Sequence, residues 1–160
     1  MPKERILLKG NGGILQTPHS ASDWNAYHRI RFQQIHQRYC PELIYDPNDP
    51  EEKDVNNFPL VFCQEGTAQV IGTIRIDLLP ENEASFRWVG IDAHFVRKGF
   101  GTKMLGLAEQ FVKERQRSMI RIPATAESLP FAQTLGFTVK PWALMPQEEC
   151  MIAVCKSLEV

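Results

Sequence analysis

An apolar strand end, a glycine-rich turn and the start of a helix follow one another directly between Val89 and Phe111, and this stretch constrains the fold most. A short apolar segment, Met119–Pro123, comes after the helix. A strand, a helix and a second strand in this order form a βαβ unit, in which the two strands are normally parallel neighbours. The apolar side of the helix consists of Met104, Leu107, Ala108 and Phe111.

The turn before this helix, Arg97–Gly101, has the character of an anion site. The first amides of a helix lack intrahelical partners and lie at the positive end of the helix dipole, so they favour an anionic group. Gly99 and Gly101 remove the Cβ atoms that would hold a phosphate away from the backbone. The chain reads Gly-Phe-Gly-Thr-Lys-Met from Gly99, which completes neither a P-loop nor a dinucleotide fingerprint. The sequence therefore predicts a phosphate compound of another kind.

Three segments together resemble the GNAT superfamily of acyl-CoA-dependent N-acetyltransferases. Val96–Gly101 lies on the superfamily's pyrophosphate motif, Gln/Arg-x-x-Gly-x-Gly/Ala, with Val96 in place of the first residue. Val89–Asp92 resembles the fourth strand of the superfamily. Ala126–Phe137, which ends Phe-Ala-Gln-Thr-Leu-Gly-Phe, resembles its second signature.

The resemblance implies a fold as well as a ligand. We expect one GNAT-like domain over residues 1–160, of the α+β class with an α/β central unit. Its mixed, mostly antiparallel sheet would have six to seven strands flanked by helices, with the fourth and fifth strands splayed apart. A chain of this length can bury a core of useful size in a single domain.

Hydrophobic periodicity predicts the other elements. The predicted helices run from a Ser20 cap to Tyr39, from the glycine turn to Arg117, and over Leu129–Thr134, which Gly136 would end. The predicted strands are Arg5–Lys9, Leu60–Gln64, Ala68–Leu79, Ser85–Ile91, Met119–Pro123, and a last hairpin of Phe137–Val139 with Glu149–Lys156. Three glycines, Gly10, Gly12 and Gly13, are expected to end the first strand. From Thr73 onward polar and apolar residues alternate, so one strand face should be apolar and the other polar.

Composition narrows the class of partner. A formal net charge of -1 gives no support for nucleic acid or an anionic membrane surface as partner. No run approaches the roughly 18 apolar residues that a transmembrane helix needs. The N-terminus, Met-Pro-Lys-Glu-Arg, lacks the apolar stretch of a signal peptide. We therefore expect a cytoplasmic protein that has no membrane partner.

The four cysteines do not form a metal motif or a disulfide framework in sequence. They are scattered without Cys-x-x-Cys spacing, and no His lies at metal-motif distance from a pair. Free thiols suit a reducing compartment. We expect no metal site, small buried thiols, and a core strand that contains Cys150 and Cys155.

The resemblance also implies the cosubstrate and the residues that hold it. Acetyl-CoA is the implied acetyl donor, and the acceptor is an amine on a small molecule or a protein, which attacks the thioester directly. Backbone of the fourth strand would contact the pantetheine arm, and amides of the turn would hold the pyrophosphate. Members of the superfamily often pair as homodimers. The implied cofactor-binding residues are Val89, Gly90, Ile91, Val96, Arg97, Lys98, Gly99, Phe100, Gly101 and Thr102.

The sequence determines the residues that transfer protons less well than those that bind the cosubstrate. An amine with a pKa of about 10.4 must lose a proton before it attacks. The candidate bases nearest the expected cleft are Asp77, His94 and Glu83. Many superfamily members carry a Tyr after the Phe of the second signature, as the acid for the departing thiolate, whereas this chain has Ala132. Ser128, Thr134 or water could substitute, and we expect a slow or unusual transferase.

The acceptor pocket is the least determined part of the sequence. The resemblance places it beside the first helix and the loop Cys40–Phe58, and Tyr39 and Tyr45 are candidate linings. Acids in this loop could attract a cationic amine, although a solvated surface loop is the favoured interpretation of their charge. These acids are Glu42, Asp46, Asp49, Glu51, Glu52 and Asp54.

Two other functions stay open at this point. The departures at Val96 and Ala132 fit a catalytically weak or inactive coenzyme A-binding module that acts as a sensor or regulator. A nucleotide-binding protein of another fold would also use the N-terminus of a helix for phosphate.

Overall fold

A single eight-stranded sheet organises the chain in the computed structural model, which describes residues 4–158. Its strands are β1 (Leu7–Gly10), β2 (Gly13–Gln16), β3 (Asn57–Gln64), β4 (Val70–Leu79), β5 (Glu83–Ile91), β6 (Met119–Ala124), β7 (Thr138–Val139) and β8 (Ile152–Ser157). The spatial order is β1-β2-β3-β4-β5-β6-β8-β7. β5 and β6 are parallel, and every other neighbouring pair is antiparallel. The α+β class and the βαβ unit are therefore confirmed.

The sheet has eight strands rather than six or seven because the N-terminal glycines form a hairpin instead of ending a strand. Gly10 pairs with Gly13 across the turn Asn11–Gly12. Both turn residues have positive φ, 52° at Asn11 and 79° at Gly12. Asn-Gly is the preferred pair for a two-residue turn of this kind, because its twist matches that of the flanking strands.

The helices flank this sheet. They are α1 (Ala21–Arg31), α2 (Gln37–Tyr39), α3 (Phe100–Glu114) and α4 (Leu129–Thr134). A π-helical turn, Phe32–His36, joins α1 to α2, so the predicted helix to Tyr39 is present with a local widening. The predicted Ser20 cap is confirmed, because its side chain accepts the Asp23 amide at 3.0 Å. The predicted end of α4 is also confirmed, with Gly136 at a φ of 95°.

The two faces of the sheet differ in polarity, as the alternation from Thr73 predicts. On one face the apolar side chains of β3, β4 and β5 pack against Met104 and Phe111 of α3 and form the main core. On the other face α1 packs Tyr27 and Ile30 against a smaller cluster. This second face also carries the polar side chains of β4, namely Thr73, Arg75 and Asp77, all of which are buried.

The C-terminal part differs in detail from its prediction. Cys150 lies in an exposed turn before β8 rather than in a core strand, whereas Cys155 is buried within β8. Cys40 and Cys63 are also buried, and all four cysteines are free thiols. No helix between residues 4 and 158 is long and apolar enough to cross a membrane.

Candidate functional site

β5 and β6 separate after a short paired segment. Their parallel ladder contains three residue pairs, of which Ser85 with Arg121 is the last. From there to Ile91, β5 has no ladder partner on the β6 side in the described chain. The predicted splay of the fourth and fifth strands of the superfamily therefore corresponds to β5 and β6 here. It leaves strand backbone open to a ligand in the gap.

A bulge in β5 lies beside this gap. The register between β4 and β5 shifts between Thr73 and Arg75, opposite Trp88 and Val89. Trp88 has a φ of 54°, which is strained for a bulky residue. The Thr73 hydroxyl donates to the Trp88 carbonyl at 3.0 Å and holds the bulge in place. Bulges often lie next to active sites, because they re-aim a side chain and interrupt pairing.

A cavity of about 90 Å³ occupies the gap and extends to both faces of the sheet. Leu105 of α3 lines it on one face, and Ile35 of the π-helical turn lines it on the other. The remaining lining residues are Trp88, Val89, Ile122, Pro123, Ala124, Thr125, Ser128, Phe131, Ala132, Gln147, Glu148 and Met151. This narrow, largely apolar cavity, the passage, therefore has walls from both the α3 side and the α1 side of the sheet.

The predicted phosphate turn lies on the α3 side. Gly99 is the N-cap of α3 and has a φ of 82°, which favours glycine. A Cβ on Gly101 would lie 3.4 Å from the Phe131 ring of α4, so its absence widens the space in front of the helix. Arg97 and Lys98 are exposed beside these amides. The turn therefore combines unpaired helix amides, exposed positive charge and an open approach.

Asp92 fixes the approach to this turn. Its Oδ1 accepts the His94 amide at 2.9 Å and caps the 3-10 turn Ala93–Phe95, and Arg29 of α1 donates to Oδ2 at 2.8 Å. Burial raises the pKa of the Asp92 carboxyl, but the bonds from His94 and Arg29 outweigh it and hold the pKa below its ordinary value. The carboxylate therefore stays charged and ties the turn to α1.

The other predicted coenzyme A residues differ in environment. Val89 lines the cavity, and Ile91 packs against the main core. A Cβ on Gly90 would meet Ile30 and Ile35 of the α1 layer at 3.4 and 3.5 Å, so these side chains already fill the space beside the glycine. The remaining members lie in the turn and in the first turn of α3.

The three predicted base candidates do not line the cavity. Asp77 is buried, and both of its oxygens accept from Arg75, at 2.7 and 2.8 Å. Glu83 pairs with Arg121 at 2.6 Å, at the end where β5 and β6 are still joined. The His94 side chain is 89% exposed. Their roles as bases stay predictions, and the geometry does not bring them together.

Glu148 is the ionisable residue that sequence reasoning missed. Among the described residues that line the cavity it is the one acid or base, and it is 4% exposed. Arg87 of β5, 61 positions away in sequence, donates to its carboxylate. The Met145 amide donates to its Oε1 at 3.0 Å. No motif surrounds Glu148, so only the long-range pairing with Arg87 could have indicated it.

A buried ionic network supports the α1 face of the site. Glu52 accepts from Arg31 at 2.5 Å and from Arg75 at 3.1 Å, and the Tyr27 hydroxyl donates to it at 3.0 Å. Burial raises the pKa of Glu52, but the two guanidiniums outweigh it and lower the pKa. The favoured interpretation of the loop acids as solvated surface is therefore wrong for Glu52.

The signature segment places small side chains at the cavity. Ala132 is buried and lines the cavity, where many superfamily members carry Tyr. Ser128 also lines it and exchanges hydrogen bonds with Thr125, whose amide donates to the Ser128 hydroxyl at 3.0 Å. Thr134 instead donates to the Phe131 carbonyl at 2.6 Å. Of the two side chains that were predicted, beside water, as substitutes for the missing Tyr, only Ser128 lines the cavity.

The predicted tyrosine linings lie outside the cavity. Tyr45 packs edge-on against Trp88, and its hydroxyl lies 2.6 Å from Nδ1 of His28. The Tyr39 hydroxyl donates to Glu127 at 3.2 Å. Residues 4–158 contain no group of three His, Cys, Asp or Glu side chains placed to hold a metal ion.

Comparison with known families gives a match over most of the chain. The sequence profile of the acetyltransferase (GNAT) family matches residues 22–137. This range includes the π-helical turn, the bulge, the phosphate turn and the Ala132 segment. No curated protein sequence matches the chain.

Solved structures show the same fold at low sequence identity. A GNAT-family acetyltransferase from Staphylococcus aureus Mu50 is 13% identical with a TM-score of 0.72, covering 92% of this chain and 99% of its own. The ribosomal-protein-S18-alanine N-acetyltransferase of Escherichia coli is 11% identical with a TM-score of 0.67, covering 92% and 95%. PaiA N-acetyltransferase from Thermoplasma acidophilum, in complex with coenzyme A, is 13% identical with a TM-score of 0.65, covering 91% and 98%.

Proposed function

Because the chain belongs to the acetyltransferase (GNAT) family, we propose that it transfers an acetyl group from acetyl-CoA to an amine by direct attack. The observation that carries this proposal is the passage between β5 and β6. Leu105 of α3, the helix whose N-terminus is suited to phosphate, lines it on one side, and Ile35 of the π-helical turn lines it on the other. A donor and an acceptor can therefore meet inside the sheet from opposite sides.

The donor side fits coenzyme A by shape and charge. Amides from Arg97 to Thr102 would hold the pyrophosphate, with the left-handed Gly99 setting their direction. Unpaired backbone of β5 at Val89 and Ile91 would bond the amide groups of the pantetheine arm. The apolar lining suits the arm and excludes water from the thioester.

The chemistry requires proton transfer as well as positioning. The acceptor ammonium loses one proton, and the neutral nitrogen then attacks the thioester carbonyl. The C–N bond forms, the C–S bond breaks, and the new amide nitrogen loses a second proton while the departing thiolate gains one. The overall reaction releases one proton. A thiol with a pKa of about 8.5 is a tolerable leaving group near neutral pH, so a strong acid is not required.

Ser128 is the proposed partner of the departing thiolate. Ser128 lines the cavity as the N-cap residue of α4, the helix that carries Ala132 at the position of the Tyr of other members. Its hydroxyl donates to the Thr125 carbonyl at 3.3 Å and would exchange this bond for one to the thiolate. A neutral hydroxyl can solvate the thiolate but is a weak acid. We therefore propose that turnover is slow, as the sequence predicts. The bases Asp77, His94 and Glu83 remain proposals that the cavity does not favour.

The second candidate function is a coenzyme A-binding sensor with little or no turnover. Two observations favour it, namely Ala132 in place of Tyr and the absence of Asp77, His94 and Glu83 from the residues that line the cavity. Binding and catalysis use different parts of the site, so the chain could retain the first without the second.

Release of free thiol from acetyl-CoA, measured with a panel of amines, tests the enzyme against the sensor. The enzyme gives thiol and an acetylated amine in equal amounts. The sensor gives no thiol, although coenzyme A still raises the midpoint of thermal unfolding by mass action. If ATP raises the midpoint of thermal unfolding and coenzyme A does not, both functions are contradicted and a nucleotide site is favoured.

A further inference from the structure

The wall of the cavity is almost entirely apolar or neutral, and Glu148 supplies its one charge among the described lining residues. Its carboxylate is 4% exposed, so water screens it poorly. Its partner Arg87 is absent from the lining. A ligand in the passage therefore meets Glu148 and not Arg87.

Glu148 lies on the acceptor side of the passage. Arg87, which binds it, is opposite Arg75 in the β4–β5 ladder. Arg75 belongs to the polar face of the sheet that α1 and Glu52 cover. The phosphate turn is on the other face, at the start of α3. Glu148 is thus placed to meet the acceptor rather than the phosphate end of the donor.

The Glu148 carboxylate retains capacity for one more donor. An ionised carboxylate offers about four lone-pair sites. Arg87 Nη1 contacts both oxygens, and the Met145 amide uses a further site on Oε1. A site on Oε2 remains for a ligand N–H.

We propose, on the basis of the acetyl transfer inferred above, that Glu148 binds the acceptor's ammonium group and selects primary amines on an alkyl stem. The apolar side chains of Ile35, Trp88 and Met151, which line the same cavity, suit such a stem. A carboxylate next to the amine would find no cation among the described lining residues and would lie beside the Glu148 carboxylate. Free alkylamines and lysine side chains share the selected chemistry, whereas α-amino acids are rejected.

The first test uses two pairs of substrates on the unaltered protein. n-Butylamine and norvaline differ by the carboxylate next to the amine, and cyclohexylamine and aniline differ chiefly in charge at neutral pH. We expect n-butylamine to exceed norvaline in kcat/KM by roughly 10-fold or more, which is the scale of one charged contact. Equal values for this pair would overturn the proposal without any mutation.

The second test replaces Glu148 by Gln, which keeps the shape and removes the charge. The expected result is a rise of roughly 10- to 100-fold in KM for cyclohexylamine, with the KM for aniline and for acetyl-CoA unchanged. Glu109→Gln is the matched control, because Glu109 pairs with Lys156 at 3.1 Å outside the cavity. That control should leave all KM values unchanged.

Each outcome decides between the proposals. If Glu148→Gln raises the KM for cyclohexylamine and for aniline by the same factor, Glu148 only supports the fold. The proposed role of Glu148 in acceptor binding is then wrong, while the proposed acetyl transfer stands. No thiol release with any amine in the unaltered protein removes the proposed function and this inference with it. If Nα-acetyl-lysine methylamide is acetylated as readily as n-butylamine, lysine side chains of proteins are a source of the acceptor amine. If n-butylamine alone is acetylated, the acceptors are free amines.

Discussion

Gly99→Ala is expected to weaken both folding and coenzyme A binding, and one backbone angle sets the cost. Gly99 has φ 82° and ψ 5°. A left-handed conformation costs a residue with a Cβ about 1–2 kcal/mol. No atom lies within 4 Å of the position that the Cβ would take, so the cost comes from backbone strain and not from a clash.

Gly106→Ala is the matched control in the interior of the same helix. Its Cβ would also meet no atom within 4 Å, and the backbone there is helical. Removing glycine from such a position stabilises a protein by about 0.4–1 kcal/mol, chiefly through the unfolded state. The two substitutions, identical in chemistry, are therefore expected to change the free energy of unfolding in opposite directions.

Urea unfolding measures these free energies, and a coenzyme A titration of thermal stability measures the binding. When the backbone of the Gly99→Ala variant relaxes away from the left-handed φ, the amides of the turn rotate away from the phosphate. Affinity for coenzyme A should therefore fall in Gly99→Ala and not in Gly106→Ala. Equal stability and equal coenzyme A affinity in Gly99→Ala and the unaltered protein would show that the turn does not depend on glycine.

Three further predictions concern the α1 face and the cavity. Arg75→Met removes one guanidinium partner from Asp77 and one from Glu52, and urea unfolding should show that the free energy of unfolding falls by about 3–5 kcal/mol. A fall no larger than the loss of a surface ion pair causes would contradict this prediction. Burial and the neighbouring Arg31 lower the pKa of His28 below its ordinary 6.5, so protonation of His28 opposes folding. The free energy of unfolding should therefore fall as the pH drops below about 6.5, and it should fall less in His28→Gln. Ala132→Tyr should raise kcat about 10²-fold or more, whereas Ala132→Phe, with the same bulk, should not; no gain over Phe would remove the case for a missing acid.

Local sequence determined the parts that were predicted well. The turn at Gly99, the cap at Ser20 and the glycine end of α4 each depend on residues within one helical turn. The βαβ unit follows from chain connectivity, which leaves few alternatives. These features, together with the family resemblance, were sufficient to predict the splay between β5 and β6.

Long-range contacts account for what was missed. Glu148 and Arg87 are 61 positions apart, and Glu52 and Arg75 are 23 apart, so no local pattern indicates either pair. The left-handed Trp88 has no sequence signal, because the strain is imposed by the β4–β5 register. The hairpin at Asn11–Gly12 is different, since its Asn-Gly pair was a readable signal. Pairing as a homodimer remains a prediction.

A crystal structure of the chain with coenzyme A is the most direct test of the proposed binding site. We predict density for the pyrophosphate at the amides of Arg97–Thr102 and density for the thiol in the passage between β5 and β6. Coenzyme A bound elsewhere, or β5 and β6 closed around an empty passage while the ligand occupies another surface, would contradict the proposed site.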